Sequence, residues 1–260
     1  MAIRRSLFKR LGFCALLFLF AALGFTVQGY AQSPQFVYVA NHFSNNVSVY
    51  TLNASTGALT PVSGSPFPAG TGPVGVALAP SGKFLYVVNF YSYNVSAYTI
   101  DPTSGALTPV AGSPFAAGTL PLGVALDPSG KFAYVTNYDY LSNNVSAYTI
   151  DPTSGALTPV AGSPFAAGTL PRGVAVDPSG KFVYVGNMVS DNVSAYAIDA
   201  TSGALTPVAG SPFAAGFYPR GVAVDPSGKF VYVTNLNSNN VSAYTIDATS
   251  GALTPVAGSP

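Results

Sequence analysis

The 260-residue chain carries few charges: 7% of its residues are charged and its formal net charge is +1 at pH 7. No basic patch is available to hold a phosphate backbone, which excludes nucleic acid as an expected partner. With one histidine, one cysteine and no glutamate, the sequence also lacks a cluster of metal ligands, so we expect neither a metal nor another cofactor.

The first 31 residues have the order of segments that is typical of a secretory signal peptide. An apolar run over 11–25, short for a membrane span, is followed by small residues at Gly29 and Ala31. Four basic residues precede the run: Arg4, Arg5, Lys9 and Arg10. We predict cleavage before Gln32 and export to the periplasm, the cell surface or the medium, with an uncleaved anchor as the alternative. Cleavage would remove the only cysteine, Cys14, and leave no membrane span.

Residues 32–260 are expected to form one domain built from an internal repeat. Near-identical units start near 36, 84, 132, 182 and 230. In the last unit, strand A is predicted at 221–224, strand B at 230–234, strand C at 241–246 and strand D at 252–256. Asp-Pro-Ser-Gly and Asp-Ala-Thr-Ser-Gly sequences between strands are turn signals, because proline fixes φ and glycine accepts positive φ. Short four-stranded meanders at this spacing predict an all-β fold, a β-propeller of four-stranded antiparallel blades.

The number of predicted strands indicates that the ring is incomplete. Strands B, C and D occur five times, but strand A occurs four times, starting at Val74, Leu122, Arg172 and Arg220. The chain therefore contains four complete blades and one that lacks its inner strand. Three interpretations remain open: a truncated or fragmentary ring, which we favour, a five-bladed ring with one three-stranded blade, or an open arc that pairs with another chain. An open arc would expose strand edges that promote self-association.

One four-residue phrase in strand B points to a known family. It reads Tyr-Val-Thr-Asn at 134–137 and 232–235, with close variants at 38–41, 86–89 and 184–187. These phrases resemble the YVTN-type β-propeller repeat of the lactonase-like propeller family, which is related to 6-phosphogluconolactonase. The resemblance covers 36–260 and implies the propeller fold. It also implies that the chain could be a lactonase-type hydrolase that opens a sugar lactone.

The repeats differ from one another almost only in the B–C and D–A loops. Alternate turns of an antiparallel meander lie at opposite ends of the strands, so these two loops should share one face of the disc. Strands of this length separate the two faces by about 17–20 Å. We therefore expect any function on the B–C/D–A face, and we expect the aspartates of the opposite face to stabilise turns.

The B–C/D–A face offers few chemically capable side chains. Arg172 and Arg220 start neighbouring A strands near the axis, where two guanidinium groups suit a carboxylate or phosphate. The other candidate ligand-binding residues are His42, Asp139, Asp191, Tyr140 and Tyr218. We assign no catalytic residue, because general acid–base catalysis needs a positioned partner and the sequence shows none.

The sequence supports two functional hypotheses. The first is an exported binding module or cell-surface scaffold, which fits the near-identical blades and the lack of an acid–base pair. The alternative is the lactonase-like hydrolase that the resemblance implies. Expected partners are a small anionic or sugar-like ligand, or a protein or cell-surface partner, on the B–C/D–A face.

Overall fold

The computed structural model describes residues 35–260, and the predicted signal peptide lies outside this range. The described residues form five antiparallel sheets, here called blades 1 to 5. Blade 1 contains β1 (Gln35–Asn41), β2 (Asn46–Leu52), β3 (Leu59–Pro61) and β4 (Phe67–Pro68). Blade 2 contains β5 (Pro73–Leu78), β6 (Phe84–Asn89), β7 (Asn94–Ile100), β8 (Leu107–Pro109) and β9 (Phe115–Ala116). Blade 3 contains β10 (Pro121–Leu126), β11 (Phe132–Asn137), β12 (Asn144–Ile150), β13 (Leu157–Pro159) and β14 (Phe165–Ala166). Blade 4 contains β15 (Pro171–Val176), β16 (Phe182–Asn187), β17 (Asn192–Ile198), β18 (Leu205–Pro207) and β19 (Phe213–Ala214). Blade 5 contains β20 (Pro219–Val224), β21 (Phe230–Asn235), β22 (Asn240–Ile246) and β23 (Leu253–Pro255).

The predicted strand order A-B-C-D is confirmed in blades 2 to 5, and blade 1 begins at strand B. Strand D is shorter than expected, with three residues in each blade. A two-residue strand that the sequence did not predict follows strand D in blades 1 to 4 and pairs with the start of strand C. No helix long and apolar enough to cross a membrane is found in the part of the chain that the structure describes.

The A strands of neighbouring blades pack closely because each carries a glycine at the contact. A Cβ atom on Gly75 would lie 2.6 Å from the carbonyl oxygen of Leu122. The same atom on Gly123 or Gly173 would lie 2.5 or 2.4 Å from the corresponding oxygen of the next blade. Only glycine permits this approach, so strand A can form the inner wall of the arc.

The repeated asparagines hold each B–C hairpin together. Asn137 of the Tyr-Val-Thr-Asn phrase is buried, and its Nδ2 donates to Asn144 Oδ1 at 2.6 Å and to Ser146 Oγ at 2.9 Å. The equivalent bonds recur in the other four blades. The phrase that marks the family therefore has a structural role in every blade.

The apolar core lies between adjacent blades. Between blades 2 and 3, for example, Tyr86, Val88 and Val95 pack with Val135 and Leu157. The sheets are thus covered on both faces where a neighbour exists on each side, which explains why strand B is apolar on both faces.

Candidate functional site

The B–C and D–A loops lie next to each other, as the sequence predicted. In blade 2 the amide of Phe90 donates to the carbonyl oxygen of Gly72 at 2.8 Å. Blades 3, 4 and 5 repeat this bond at 2.9 Å, with Tyr138, Met188 and Leu236 as donors. The divergent residues of the repeat therefore share one face of the arc, here called the variable face.

Backbone strain is concentrated on the variable face. The eight non-glycine residues with positive φ among residues 35–260 all lie in its loops, and they include Leu120, Leu170, Tyr93 and Tyr218. Bulky residues in this conformation cost about 1–3 kcal/mol each. On the opposite face, the positive-φ residues of the A–B and C–D turns are all glycine. Apart from Gly72, the variable face therefore uses non-glycine residues for a conformation that the A–B and C–D turns obtain with glycine.

The two candidate carboxylates of the variable face support this loop geometry. Asp191 Oδ1, in the B–C loop of blade 4, accepts a hydrogen bond at 2.8 Å from the amide of Tyr218, in the loop that leads into blade 5. Asp139 Oδ2 accepts from the amides of Leu141 and Ser142 at 3.1 and 3.0 Å. Both carboxylates are thus engaged within the protein.

The two arginines form the strongest electrostatic feature of the variable face. Arg172 Cζ lies 5.7 Å from the ring centroid of Tyr138, within the range of a cation–π contact. Partial burial and, to a smaller extent, the positive charge of Arg220 lower the pKa of Arg172, while Tyr138 raises it. No carboxylate among residues 35–260 contributes to the shift in the pKa of Arg172. The pair is therefore a concentration of positive charge near the inner strands, without local neutralisation.

His42 is positioned by aromatic packing. Its ring centroid lies 4.9 Å from that of Phe43, 5.6 Å from that of Tyr91 and 6.5 Å from that of Phe90. Nδ1 is buried and has no hydrogen-bond partner among residues 35–260. No carboxylate among residues 35–260 forms a hydrogen bond with this imidazole, so the geometry provides no acid–base pair.

A series of side chains connects His42 with the arginines. The ring centroids of Phe90 and Tyr138 are 6.4 Å apart, and the Tyr138 hydroxyl lies 3.5 Å from Met188 Sδ. His42, Phe90, Tyr138 and Met188 each follow the Asn of strand B directly, in four successive blades. Phe90 and Met188 are not among the candidates predicted from the sequence. They could have been found there, because each occupies the first divergent position after an otherwise similar phrase.

The remaining candidates lie at the edge of this arrangement. Tyr140 is 65% exposed in the B–C loop of blade 3. Tyr218 adjoins Arg220 in sequence across Pro219, and its carbonyl accepts from Leu236. No group of three His, Cys, Asp or Glu side chains in residues 35–260 is arranged to hold a metal ion. The structure thus places Tyr138 against Arg172, with Arg220 on the neighbouring A strand, and connects Tyr138 with His42 through the ring of Phe90.

Several solved structures are similar to this arc. A candidate 6-phosphogluconolactonase from Bacteroides uniformis shares 22% identity at a TM-score of 0.75, covering 87% of this chain and 68% of that one. One from Bacteroides fragilis shares 24% identity at a TM-score of 0.74, covering 85% of this chain and 66% of that one. A periplasmic gluconolactonase of Pseudomonas aeruginosa shares 22% identity at a TM-score of 0.71, covering 85% of this chain and 66% of that one. The chain therefore spans about two thirds of the length of these proteins.

The sequence itself identifies the family. The comparison with functionally curated proteins gave no significant match. The family described as lactonase, 7-bladed β-propeller, matches residues 30–119, 115–216 and 208–260, which together span all of the repeats. With the blade architecture and the recurring strand-B phrase, this match shows that the chain belongs to the lactonase-like β-propeller family.

Proposed function

We propose that this protein is a lactonase-type hydrolase that binds an anionic sugar lactone on the variable face, near the axis. The observation that carries the proposal is the arginine pair. Arg172 and Arg220 lie at the starts of neighbouring A strands, and the guanidinium of Arg172 is partly withdrawn from water and lies near the charge of Arg220. Such a pair suits the carboxylate or phosphate of a sugar acid.

The same charges would assist the opening of a lactone. A water oxygen adds to the carbonyl carbon, the bond to the ring oxygen breaks, and that oxygen leaves as a hydroxyl group with a proton. Negative charge develops on the carbonyl oxygen, where fixed positive groups lower the barrier. Because lactones also open slowly in water, catalysis here needs electrostatic stabilisation and orientation more than a strong base. His42 is the only imidazole of the sequence, but Phe90 and Tyr138 lie between it and Arg172, so we assign it no role as proton acceptor.

Family membership supports this function over a purely structural role. The structural neighbours named as gluconolactonases share the fold of this chain at 22–24% identity. We extend the lactonase activity of those proteins to this chain as part of the proposal, since the chain spans about two thirds of their length.

The test compares lactone hydrolysis with and without the arginines. Purified protein should accelerate opening of 6-phosphogluconolactone, whose phosphate supplies the anionic group, above the spontaneous rate, measured by acid release in a pH-stat. Arg172→Ala with Arg220→Ala should reduce this acceleration by about tenfold or more, the equivalent of a charge-assisted contact of about 1.5–3 kcal/mol. Lys131→Ala with Lys181→Ala, in A–B turns of the opposite face, is the matched control and should have little effect. A rate equal to the spontaneous one, or a larger loss in the lysine variant, would contradict the proposal.

A binding or surface-scaffold function is the second candidate, and one observation favours it. Phe43 and Leu141, at two loop tips of the variable face, are 95% and 94% exposed. Exposed apolar side chains on one face are typical of interaction sites. An exported scaffold would bind cell-envelope material through this face, and Phe43→Ser with Leu141→Ser would weaken that binding without changing lactone hydrolysis. Equal binding by the variant would remove the support for this function.

A further inference from the structure

The two arginines of the variable face occupy equivalent backbone positions in neighbouring blades. Each follows the proline that starts its A strand, and that proline follows a loop residue with positive φ. The loop residue is Leu170 before Arg172, with a φ of 54°, and Tyr218 before Arg220, with a φ of 59°. A difference between the two guanidinium groups therefore comes from the side chains around them and not from the course of the backbone.

Hydrogen bonds hold the two loops before the arginines in the same way. Asn143 Oδ1, in the B–C loop of blade 3, accepts from the amide of Leu170 at 3.1 Å. Asp191 Oδ1, at the equivalent position of blade 4, accepts from the amide of Tyr218 at 2.8 Å. The carbonyl oxygens of Leu170 and Tyr218 each accept an amide hydrogen bond at 2.9 Å. Both loop residues are thus bonded through their amide and their carbonyl, and the two arginines start from equally defined positions.

Two further groups of blade 3 hold Arg172 itself. Thr136, in strand B, is fully buried, and its Oγ1 donates to the carbonyl oxygen of Arg172 at 2.7 Å. Thr136 Oγ1 also accepts from the amide of Gly123 at 2.9 Å, which fixes the direction in which the hydroxyl donates. The ring of Tyr138 lies 5.7 Å from Arg172 Cζ, and its hydroxyl lies 3.5 Å from Met188 Sδ. Arg172 is therefore held at its backbone and at its guanidinium.

Arg220 lacks both of these contacts. In blade 4 the positions that correspond to Thr136 and Tyr138 are Gly186, which has no hydroxyl, and Met188, which has no ring. No aromatic ring lies over the guanidinium of Arg220 among residues 35–260. The side chain of Arg220 therefore keeps conformational freedom that contacts with blade 3 remove from the other arginine.

We infer that Arg172 is the preorganised half of the anion site and Arg220 its mobile half, with Thr136 and Tyr138 as the positioning residues that make the difference. The inference rests on the proposed function, because it concerns the same site. An anion meets Arg172 already oriented, so binding orders little there. Arg220 then closes on the bound anion, and the ordering of its side chain reduces the affinity gained.

A site with one mobile cation suits the chemistry of lactone opening. Hydrolysis converts the neutral ester of the ring into a carboxylate, so the product carries one more negative charge than the substrate. Two fixed guanidinium groups would retain this product more strongly than the substrate. A mobile Arg220 lowers the affinity for both and favours release of the product.

NMR relaxation of the arginine side chains measures the two groups separately. Residues 35–260 contain only these two arginines, and Arg172→Lys and Arg220→Lys assign their Nε–Hε signals. In the free protein the order parameter of this bond should exceed about 0.7 for Arg172 and lie below about 0.6 for Arg220. Saturation with inorganic phosphate should raise the value for Arg220 and leave that for Arg172 unchanged. Similar order parameters for both arginines in the free protein would overturn the inference, whatever the rate of lactone hydrolysis.

The same titration separates the inference from the proposed function. Unequal order parameters, with ordering of Arg220 by phosphate but no acceleration of lactone opening, would contradict the proposed function and leave the inference intact. Phosphate that shifts neither arginine signal would contradict both.

A matched pair of substitutions tests the role of Thr136. Thr136→Val keeps the shape of the side chain and removes its hydrogen bonds to Arg172 and Gly123. It should lower the order parameter of Arg172 and weaken phosphate binding by about three- to tenfold, while the order parameter of Arg220 in the free protein stays the same. Tyr138→Leu, which leaves the threonine in place, carries the same prediction if Thr136→Val does not fold.

Thr234→Val is the control. Thr234 Oγ1 accepts the equivalent glycine hydrogen bond, from the amide of Gly221 at 2.9 Å, but donates to no arginine among residues 35–260. The substitution should therefore change neither the order parameters nor the affinity for phosphate. Equal effects of the two threonine substitutions would overturn the inference, because the loss would then come from the glycine bond and not from the contact with Arg172.

Discussion

Removing one hydroxyl from an interface between blades should destabilise the protein, and removing the equivalent hydroxyl from the end of the arc should not. Tyr134 and Tyr232 occupy the same position of strand B in blades 3 and 5. Tyr134 is fully buried and donates to Gly203 at 3.1 Å, whereas Tyr232 is 43% exposed. The pair Tyr134→Phe and Tyr232→Phe therefore differs in surroundings and not in chemistry.

The magnitude follows from the group left behind. In Tyr134→Phe the carbonyl oxygen of Gly203 loses its donor in a site that water does not reach, which costs about 1–3 kcal/mol. The phenyl ring still fills the pocket, which favours the lower half of this range, about 1–2 kcal/mol. For a domain of this size, 1 kcal/mol shifts the melting temperature by about 2–4 °C, so the expected decrease is about 2–8 °C. Tyr232→Phe should cost less than about 0.5 kcal/mol, because water can replace the lost contact.

Thermal unfolding followed by circular dichroism, with urea unfolding of the same samples, measures both variants. Samples at two protein concentrations show whether association contributes. Equal destabilisation by the two substitutions would refute the reasoning, because the interface would then not depend on the hydroxyl, or the face of blade 5 that points away from blade 4 would already be covered in solution.

Four further predictions concern other parts of the chain. Asp177→Ala should lower the free energy of unfolding by about 1–3 kcal/mol in urea titration, because the buried carboxylate accepts several amide hydrogen bonds of the A–B turn. Gly168→Ala should lower the melting temperature, because its Cβ atom would lie 2.7 Å from the side chain of Asn187. Burial raises the pKa of Tyr38 from its ordinary value of 10 to about 12. The contribution of neutral Tyr38 to the free energy of unfolding is therefore fully present below pH 10 and decreases as the pH rises from 10 towards 12, which urea midpoints would show. N-terminal sequencing of the exported protein should start near Gln32, and an exported product that retains Met1 would contradict the signal-peptide prediction.

The sequence predicted the fold well because the repeat encodes each turn locally. Asp127 illustrates this: its Oδ1 accepts from the amide of Phe132 at 2.7 Å and its Oδ2 from that of Ser129 at 3.0 Å, as expected of a turn aspartate. Proline, glycine and aspartate specify such turns over five residues, so one copy suffices to recognise them. The short strand after strand D was missed because its two residues, such as Phe165 and Ala166, pair with the start of strand C twenty residues earlier.

The candidate site was predictable only in part, because it depends on contacts between blades. The sequence placed Arg172 and Arg220 on neighbouring strands, and the effect of Arg220 on the pKa of Arg172 agrees with that placement. It could not show that Tyr138 lies under the guanidinium of Arg172, since the two residues belong to different blades. It also could not show that Asp191 supports the loop of Tyr218 in the next blade. Such contacts depend on the rotation between blades, which no single repeat contains.

The distribution of glycine connects the fold with the function. The A–B and C–D turns, opposite the variable face, obtain positive φ from glycine, which adopts this conformation without steric cost. Their sequence hardly varies between blades. In the loops of the variable face Gly72 also has positive φ, but Tyr93, Leu120, Leu170 and Tyr218 adopt it with a side chain, at a cost that the surrounding hydrogen bonds must offset. Glycine at these positions would be less strained but would carry no side chain. The variable face therefore carries side chains at positions whose backbone conformation favours glycine, and the arginine pair lies on this same face.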